Sequence, residues 1–398
     1  MTITVIITFC VLLLIAYVFD LTASKTKIPA VILLLLLGWT VRQLTEWLNI
    51  HLPDCSAVLP ILGTVGLLLI VLEGSLELEL NKSKIGLIRK SFWGAFVPLI
   101  ALSFLLACAF MHFGGFELKD SLINAIPLCI ISSAIAIPSV RHLSSNSKEF
   151  VTYESSFSDI LGVLFFNFLL LNEIIETASF GLFVLELLII AVISIISTIG
   201  LSYLLSKIQH HIKFIPIILL VILIYAVSKV YHLPGLIFIL IFGLSLGNLD
   251  KLKGFTWIET FKPDVLSKEI IKFKELTTEG AFLIRALFFL IFGYLIETSE
   301  VVQSDTLIWS SSTVFLMFTF RAIQLKLSKI PLQPLLFVAP RGLITILLFL
   351  SIDPTHTVSL VNKSYIIQVI MRSHRLYMEV YKNYEPQPLQ AKDSLNRT

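Results

Sequence analysis

Long apolar segments recur along the whole chain and constrain its fold more than any other feature. About thirteen of them are separated by polar or Pro/Gly breaks, and most approach the roughly 20 residues that a helix needs to cross a bilayer. A helix also satisfies its own backbone groups inside a lipid environment. The sequence therefore predicts an all-α polytopic membrane protein. The segments lie near residues 3–19, 28–45, 57–78, 91–112, 120–140, 149–171, 180–206, 213–229, 234–248, 277–297, 303–320, 333–351 and 359–371.

Composition supports this class and excludes others. The 398 residues are 56% hydrophobic and 14% charged, whereas a soluble domain carries about 25% charged residues. A net charge of +3 gives no reason to expect a nucleic-acid partner. The sequence holds no Walker loop, HExxH or GxGxxG motif, so we expect no enzyme activity, no cofactor and no resident metal. The cysteines are scattered and are interpreted as packing residues, namely Cys10, Cys55, Cys108 and Cys129.

Positive charge is distributed unevenly between the two sides of the predicted bundle. Lysine and arginine are concentrated in the loops that follow odd-numbered segments, such as residues 82–90. The loops on the other side carry only Arg42, Lys119 and Lys229. By the positive-inside rule the N-terminus is outside and the C-terminus is cytoplasmic. We expect the plasma membrane of a prokaryote as the location and the lipid bilayer as the surroundings.

Two segments are interrupted at corresponding positions of the two halves. The thirteen segments divide into six, one linker and six more, and the single linker inverts the second half relative to the first. Transporters use such inverted repeats to build a central binding site. The fifth segment reads AIPLCIISSAIAIPSV, and the twelfth contains QPLLFVAPRGLITILLFL. Each proline removes a backbone donor, so nearby polar groups are open to an ion. The predicted break residues are Pro138, Pro340 and Gly342, with hydroxyls from Ser132 and Ser133; ordinary proline kinks are the alternative.

The sixth segment carries two carboxylates at bilayer depth. Asp159 lies near its middle, Ser155 lies one turn earlier, and Glu154 lies one turn before Ser158. A charged carboxylate at this depth costs about 2.5–3.5 kcal/mol, so it normally faces a cavity or a partner. These four residues, with Ser132 and Ser133, are therefore predicted to bind a proton or a monovalent cation. The alternative is a buried ion pair that only fixes packing.

Two arginines also interrupt apolar segments. Arg341 follows Pro340, and Arg285 lies in the tenth segment. One of them would hold Glu154 as a structural ion pair and leave Asp159 able to bind. Snorkelling to the cytoplasmic interface is the alternative for Arg341. Glu73, at the end of the third segment, is a weaker candidate for a direct role.

Four stretches together resemble the monovalent cation:proton antiporter superfamily, in its sodium/proton exchanger-type branch. They read LLLIVLEGSLEL in the third segment, YESSFSD in the sixth, LIRALFFLIFGYLI in the tenth and PRG in the twelfth. The resemblance covers nearly the whole membrane region. It implies about 13 helices in two inverted six-helix repeats, two crossed discontinuous helices (the fifth and the twelfth) beside the ion site, and a homodimer.

The resemblance also assigns roles within the sixth helix. Glu154 and Ser155 match a glutamate–serine pair, Ser158 stands in the place of an asparagine, and Asp159 matches the aspartate that carries the ion and the proton. The family's glutamate pairs with an arginine that resembles Arg341. This chain departs from the family in its fifth helix, where SSAIAIP carries no acid and is similar to the potassium-efflux branch. Its last segment is also shorter and more polar.

The predicted function is secondary antiport of H⁺ against a monovalent cation, with Na⁺ favoured over K⁺ and Li⁺, by alternating access around Asp159. The alternatives are a cation channel or uniporter, and a membrane sensor that does not transport. Within the predicted transmembrane domain, residues 1–371, scaffold and dimer helices occupy about 1–78 and 213–297, and core helices occupy about 91–171 and 303–371. Residues 372–398 are expected to form a short cytoplasmic tail.

Overall fold

A computed structural model describes residues 2–26, 28, 30–49, 56–78, 82–140, 143–172, 176–208, 210, 212–248 and 263–382. Over these ranges the chain is helical, with turns and short extended links and without a strand. Cys55 and the last residues of the predicted tail, 383–398, lie outside them. The prediction of an all-α polytopic protein is confirmed.

In the described part of its first half, the chain forms seven helices, and a long linker helix follows them. They are α1 (Thr2–Thr26), α2 (Ala30–Trp47), α3 (Leu59–Glu77), α4 (Ile85–Gly114), α5 (Leu118–Cys129), α6 (Ser133–Ser139), α7 (Ser145–Leu171) and α8 (Thr177–Lys207). The second half supplies α9 (Phe214–Val230), α10 (Leu236–Gly247), α11 (Pro263–Tyr294), α12 (Thr298–Val302), α13 (Ser304–Leu327), α14 (Leu343–Leu350) and α15 (Lys363–Lys382).

The predicted segments correspond to helices or to broken pairs of helices. Within the described ranges, eight spans are long and apolar enough to cross a membrane, and shorter apolar helices accompany them. One of the eight, Leu118–Ser139, combines α5 and α6. Its interruption lies in the middle of the span, where a continuous helix would otherwise cross the bilayer.

The last helix continues beyond residue 371, the predicted end of the last apolar segment. α15 contains 20 residues and continues to Lys382. Its polar side chains are accommodated because they have partners or are buried: Arg372 Nη1 donates to Ser311 Oγ at 2.8 Å, and Ser373 and His374 are each 1% exposed. Packing against α13 therefore stabilises the helix beyond the residue at which hydropathy predicts its end.

Small residues bring several helices into close contact. A Cβ atom on Gly38 of α2 would lie 2.7 Å from the Tyr294 backbone nitrogen of α11, and one on Gly247 of α10 would lie 3.1 Å from the Leu76 carbonyl carbon of α3. Helices in lipid associate through such close backbone approach. α2, α3, α10 and α11 thus form one packed group, while α4 packs on α5 and α7, and α13 packs on α15.

Two interrupted spans cross at the centre of the bundle. The first break separates α5 from α6, and the second consists of a short 3₁₀ turn (Leu335–Phe337) and a non-helical link that ends at Gly342, before α14. The Ser132 backbone N–H donates to the Pro340 carbonyl at 2.9 Å, which joins the two breaks directly. The predicted pair of crossed discontinuous helices is confirmed.

Candidate functional site

Asp159 lies inside α7 and faces the first break. It is 1% exposed, and its Oδ2 accepts hydrogen bonds from the Ser133 hydroxyl and, at 3.2 Å, from the Ser133 backbone N–H. Its Oδ1 is buried and has no hydrogen-bond partner among the described residues. No lysine or arginine in the described ranges forms an ion pair with it. The carboxylate therefore has polar neighbours and an open coordination position.

The break between α5 and α6 explains why the Ser133 backbone N–H is free to donate to this carboxylate. Ser133 is the first residue of α6, and the first N–H groups of a helix have no partner inside that helix. The positive end of the α6 dipole also favours a carboxylate at this position. An uninterrupted helix would have used this N–H in its own backbone ladder.

The other predicted hydroxyls have different surroundings. The Ser158 hydroxyl accepts from the Ile131 backbone N–H at 2.9 Å, so it ties the first break to α7. The Ser155 hydroxyl donates to the Thr152 carbonyl at 3.4 Å and makes no hydrogen bond to Asp159 in the structure. The Ser132 hydroxyl is buried without a hydrogen-bond partner in the described part of the chain. The structure thus joins Asp159 to Ser133 and leaves Ser155 out of that contact.

Glu154 has a different arginine partner from the one that the sequence predicts. Arg321 Nη1 of α13 donates to Glu154 Oε1, and Gln324 Nε2 donates to the same oxygen at 2.8 Å. Arg341 instead donates from Nε to the Leu128 carbonyl and from Nη1 to the Ala339 carbonyl, each at 2.7 Å. The predicted Glu154–Arg341 pair is therefore wrong. The physical reason is that the end of α5 carries orphan carbonyls, which an adjacent guanidinium satisfies.

Arg321 is the functional residue that the sequence interpretation missed. It follows an apolar run directly, where the positive-inside rule predicts a cytoplasmic loop charge, yet it is 3% exposed. Besides Glu154, it donates to the Leu335 and Val338 carbonyls in the second interrupted span, each at 3.3 Å. Gln324, one turn later on α13, is the available signal, because two polar residues at this spacing share one helix face.

Arg285 and Pro138 are predicted as an ion-pair partner and a helix-break residue, but the structure gives both of them a different position. Pro138 lies inside α6, so its predicted position at the break is wrong; Pro340 and Gly342 do lie in the second break. A proline at this position has no N–H for the carbonyl four residues earlier, which is that of Ala134. Arg285 Nη1 donates to this Ala134 carbonyl at 3.4 Å instead of pairing with Glu154. The arginine thus compensates for the missing helix bond.

A polar cavity of about 250 Å³ reaches the site from one end of the bundle. Its lining includes Glu73 and Glu77 of α3, Ser133 of α6, Lys148 of α7 and Arg285 of α11. Glu73 therefore lies on the approach to Asp159. The described residues contain no cluster of three or more histidine, cysteine or acidic side chains that could hold a resident metal.

A buried carboxylate beside two crossed helix breaks, reached by a polar cavity, is the arrangement expected of a secondary transporter. The chain belongs to the family "Sodium/hydrogen exchanger, transmembrane", whose model matches residues 10–368. The predicted family is confirmed. The protein is accordingly a membrane antiporter that exchanges H⁺ and a monovalent cation, and not an enzyme.

Solved structures show the same fold. The sodium proton antiporter MjNhaP1 from Methanocaldococcus jannaschii, in its structure at pH 8, is 18% identical, with a TM-score of 0.67 over 96% of this chain and 98% of that one. An electron-microscopy structure of the same antiporter gives 18% identity and a TM-score of 0.67 over 97% and 100% of the two chains. No curated protein sequence matches this chain.

Proposed function

We propose that Na⁺ and H⁺ compete for the Asp159 carboxylate and that this competition produces one-for-one exchange. The observation that carries the proposal is the buried carboxylate without an ion-pair partner among the described residues, held by Ser133 and open at Oδ1. A carboxylate in a low-dielectric interior needs either a proton or a cation to offset its charge. A site that returns across the membrane only in one of these two neutral forms couples the two fluxes.

Alternating access is supported by cavities at the two ends of the bundle. The first, of about 250 Å³, includes Ser133 and Glu77. The second, of about 200 Å³, lies at the opposite end of α3 and is lined by Thr64, Asn167 and Lys229 among others. Both lie where the predicted scaffold helices, about 1–78 and 213–297, meet the predicted core helices, about 91–171 and 303–371. Movement of the core group against the scaffold group would expose Asp159 to each cavity in turn.

The proposed orientation places the N-terminus outside, the C-terminus in the cytoplasm and the Ser133 cavity on the cytoplasmic side of the plasma membrane. The positive-inside distribution of lysine and arginine supports it. Cysteines introduced at the exposed positions of Arg89 and Glu117, in a chain without its native cysteines, should react with a membrane-impermeant label from the cytoplasmic and the external side, respectively. Reversed labelling would contradict this orientation.

The proposed homodimer is supported by the apolar surface of α1, which lies in the predicted scaffold and dimer helices. Large apolar side chains are exposed along this helix, including Ile3, Ile7, Leu14, Val18 and Leu21. Such a surface suits lipid and a second copy of the chain. Crosslinking of single cysteines placed along α1 in native membranes should give dimers at some positions, and uniform failure would contradict the proposal.

Replacement of the carboxylate tests the exchange site. In inverted vesicles, Asp159→Asn should abolish proton movement driven by NaCl, LiCl or KCl, because an amide neither releases a proton nor supplies negative charge. Asp305→Asn is the matched control, since Asp305 is an exposed acid at the start of α13, and it should exchange like the wild type. Cation-driven proton movement that persists in Asp159→Asn would contradict the proposal. Flux that follows the electrical gradient and ignores pH would indicate a channel instead.

A further inference from the structure

Thr345 carries a buried hydroxyl that the exchange mechanism has not used. It lies in the first turn of α14 and is 0% exposed, and its Oγ1 has no hydrogen-bond partner among the described residues. Burying a hydroxyl without a partner costs about 1–3 kcal/mol. A bound ligand or water that accepts or donates a hydrogen bond, or a cation, would offset this cost.

The helix break is the reason that Thr345 lacks the usual partner. Threonines in other helices of this protein donate to the carbonyl four residues earlier, as do Thr40, Thr152, Thr277 and Thr319. For Thr345 that carbonyl belongs to Arg341, which lies in the non-helical link before α14. The interruption of the helix thus removes the intrahelical acceptor and leaves the hydroxyl able to bind something else.

The break in the second span also brings the start of α14 against the first break. Gly342 directly precedes α14 and lies three residues before Thr345. A Cβ on Gly342 would lie 3.2 Å from the Ser132 hydroxyl oxygen. The Ser132 hydroxyl is likewise buried without a hydrogen-bond partner in the described part of the chain. Ser132 directly precedes Ser133, which holds Asp159.

We propose that Thr345 is a cation ligand and contributes to cation affinity, with the Ser132 hydroxyl as its neighbour in the ligand set. This inference rests on the proposed exchange at Asp159. Alkali cations and other hard ions take several oxygen ligands, and neutral hydroxyls supply them without further charge. At its break the fifth span offers serines and no acid, in the stretch SSAIAIP, so the second interrupted helix supplies an oxygen ligand instead. Because a hydroxyl at this position binds the cation and not the exchanged proton, it sets cation affinity.

The test compares a hydroxyl deletion with a hydroxyl-preserving change in liposomes that contain the purified protein. Thr345→Val should raise the half-saturating NaCl concentration by about tenfold, which corresponds to about 1.4 kcal/mol, while the maximal exchange rate stays near that of the wild type. Thr345→Ser should retain the wild-type value. Thr198→Val is the matched control: the Thr198 hydroxyl in α8 is also buried without a partner in the described ranges. The same measurements in LiCl and KCl show whether the loss of cation affinity differs between Na⁺, Li⁺ and K⁺.

The outcomes separate this inference from the exchange site itself. A role in packing alone, or an ordered water at the hydroxyl, predicts an unchanged half-saturating concentration in Thr345→Val, and that result would overturn the inference while the loss in Asp159→Asn stands. Exchange that survives in Asp159→Asn would overturn the proposed function whatever Thr345 does. If Thr345→Val fails to fold, Ser132→Ala provides the same test, since its half-saturating concentration must also rise.

Discussion

The two carboxylates of α7 lie five positions apart and are both buried, yet their surroundings differ in one respect. Each has one oxygen without a hydrogen-bond partner among the described residues, so an open oxygen does not distinguish them. Glu154 is paired with the Arg321 guanidinium and accepts from Gln324, whereas Asp159 accepts from no described residue other than Ser133. The difference lies in charge compensation. Glu154 is already neutralised by Arg321, and we propose that Asp159 takes a proton or a cation from solution.

Removal of the compensating cation should have the largest effect on stability. Arg321→Met leaves the Glu154 carboxylate buried without its ion-pair partner, and breaking a buried pair in this way costs about 3–5 kcal/mol. We expect a much lower midpoint of thermal unfolding in detergent, or failure to accumulate in the membrane. The double variant Glu154→Leu with Arg321→Met removes both charges and should recover much of the loss. An Arg321→Met protein as stable as the wild type would show that this pair does not compensate Glu154.

The sequence predicts the helices and the crossing but not the partner of Glu154. Hydropathy locates the spans because a bilayer admits few backbone arrangements, and Pro340 and Gly342 mark a break because neither favours a continuous helix. The ion pair depends on which face α13 turns toward α7. Arg321 follows an apolar run directly, where the positive-inside rule assigns it to a loop. Only packing distinguishes a loop arginine from a buried one at that position.

The position of the first break was also not predictable from proline alone. Pro127 and Pro138 both lie inside short helices, and the interruption falls between them, at residues 130–132. α6 tolerates Pro138 because the carbonyl that this proline leaves without a helix donor, that of Ala134, accepts a hydrogen bond from Arg285. The break itself is stabilised by tertiary hydrogen bonds, from Ile131 to Ser158 and from Ser132 to Pro340. Such contacts involve residues far apart in sequence.

The isosteric change at Glu154 should have an intermediate effect. Glu154→Gln removes the carboxylate charge but keeps its shape, so Arg321 is left as an uncompensated buried cation with a hydrogen bond to a neutral oxygen. Hydrogen bonds to charged groups contribute about 1.5–3 kcal/mol, and part of this is lost. The unfolding midpoint should fall, although less than in Arg321→Met. An unchanged midpoint would indicate that the pair is worth no more than a neutral hydrogen bond.

The same isosteric change at Asp159 should have the smallest effect on stability. It should leave the stability unchanged or raise it, in contrast to the two changes above. Asp159→Asn removes a buried charge that has no cationic partner in the described part of the chain, while the amide oxygen still accepts from the Ser133 N–H. A buried charge costs free energy unless it is paired, so its removal relieves that cost. We expect the unfolding midpoint without added Na⁺ to equal or exceed that of the wild type. NaCl should raise the midpoint of the wild type but not that of Asp159→Asn, because only a ligand bound to the folded state stabilises it. A clear drop in the midpoint of Asp159→Asn would mean that its carboxylate, like that of Glu154, is part of the structural framework.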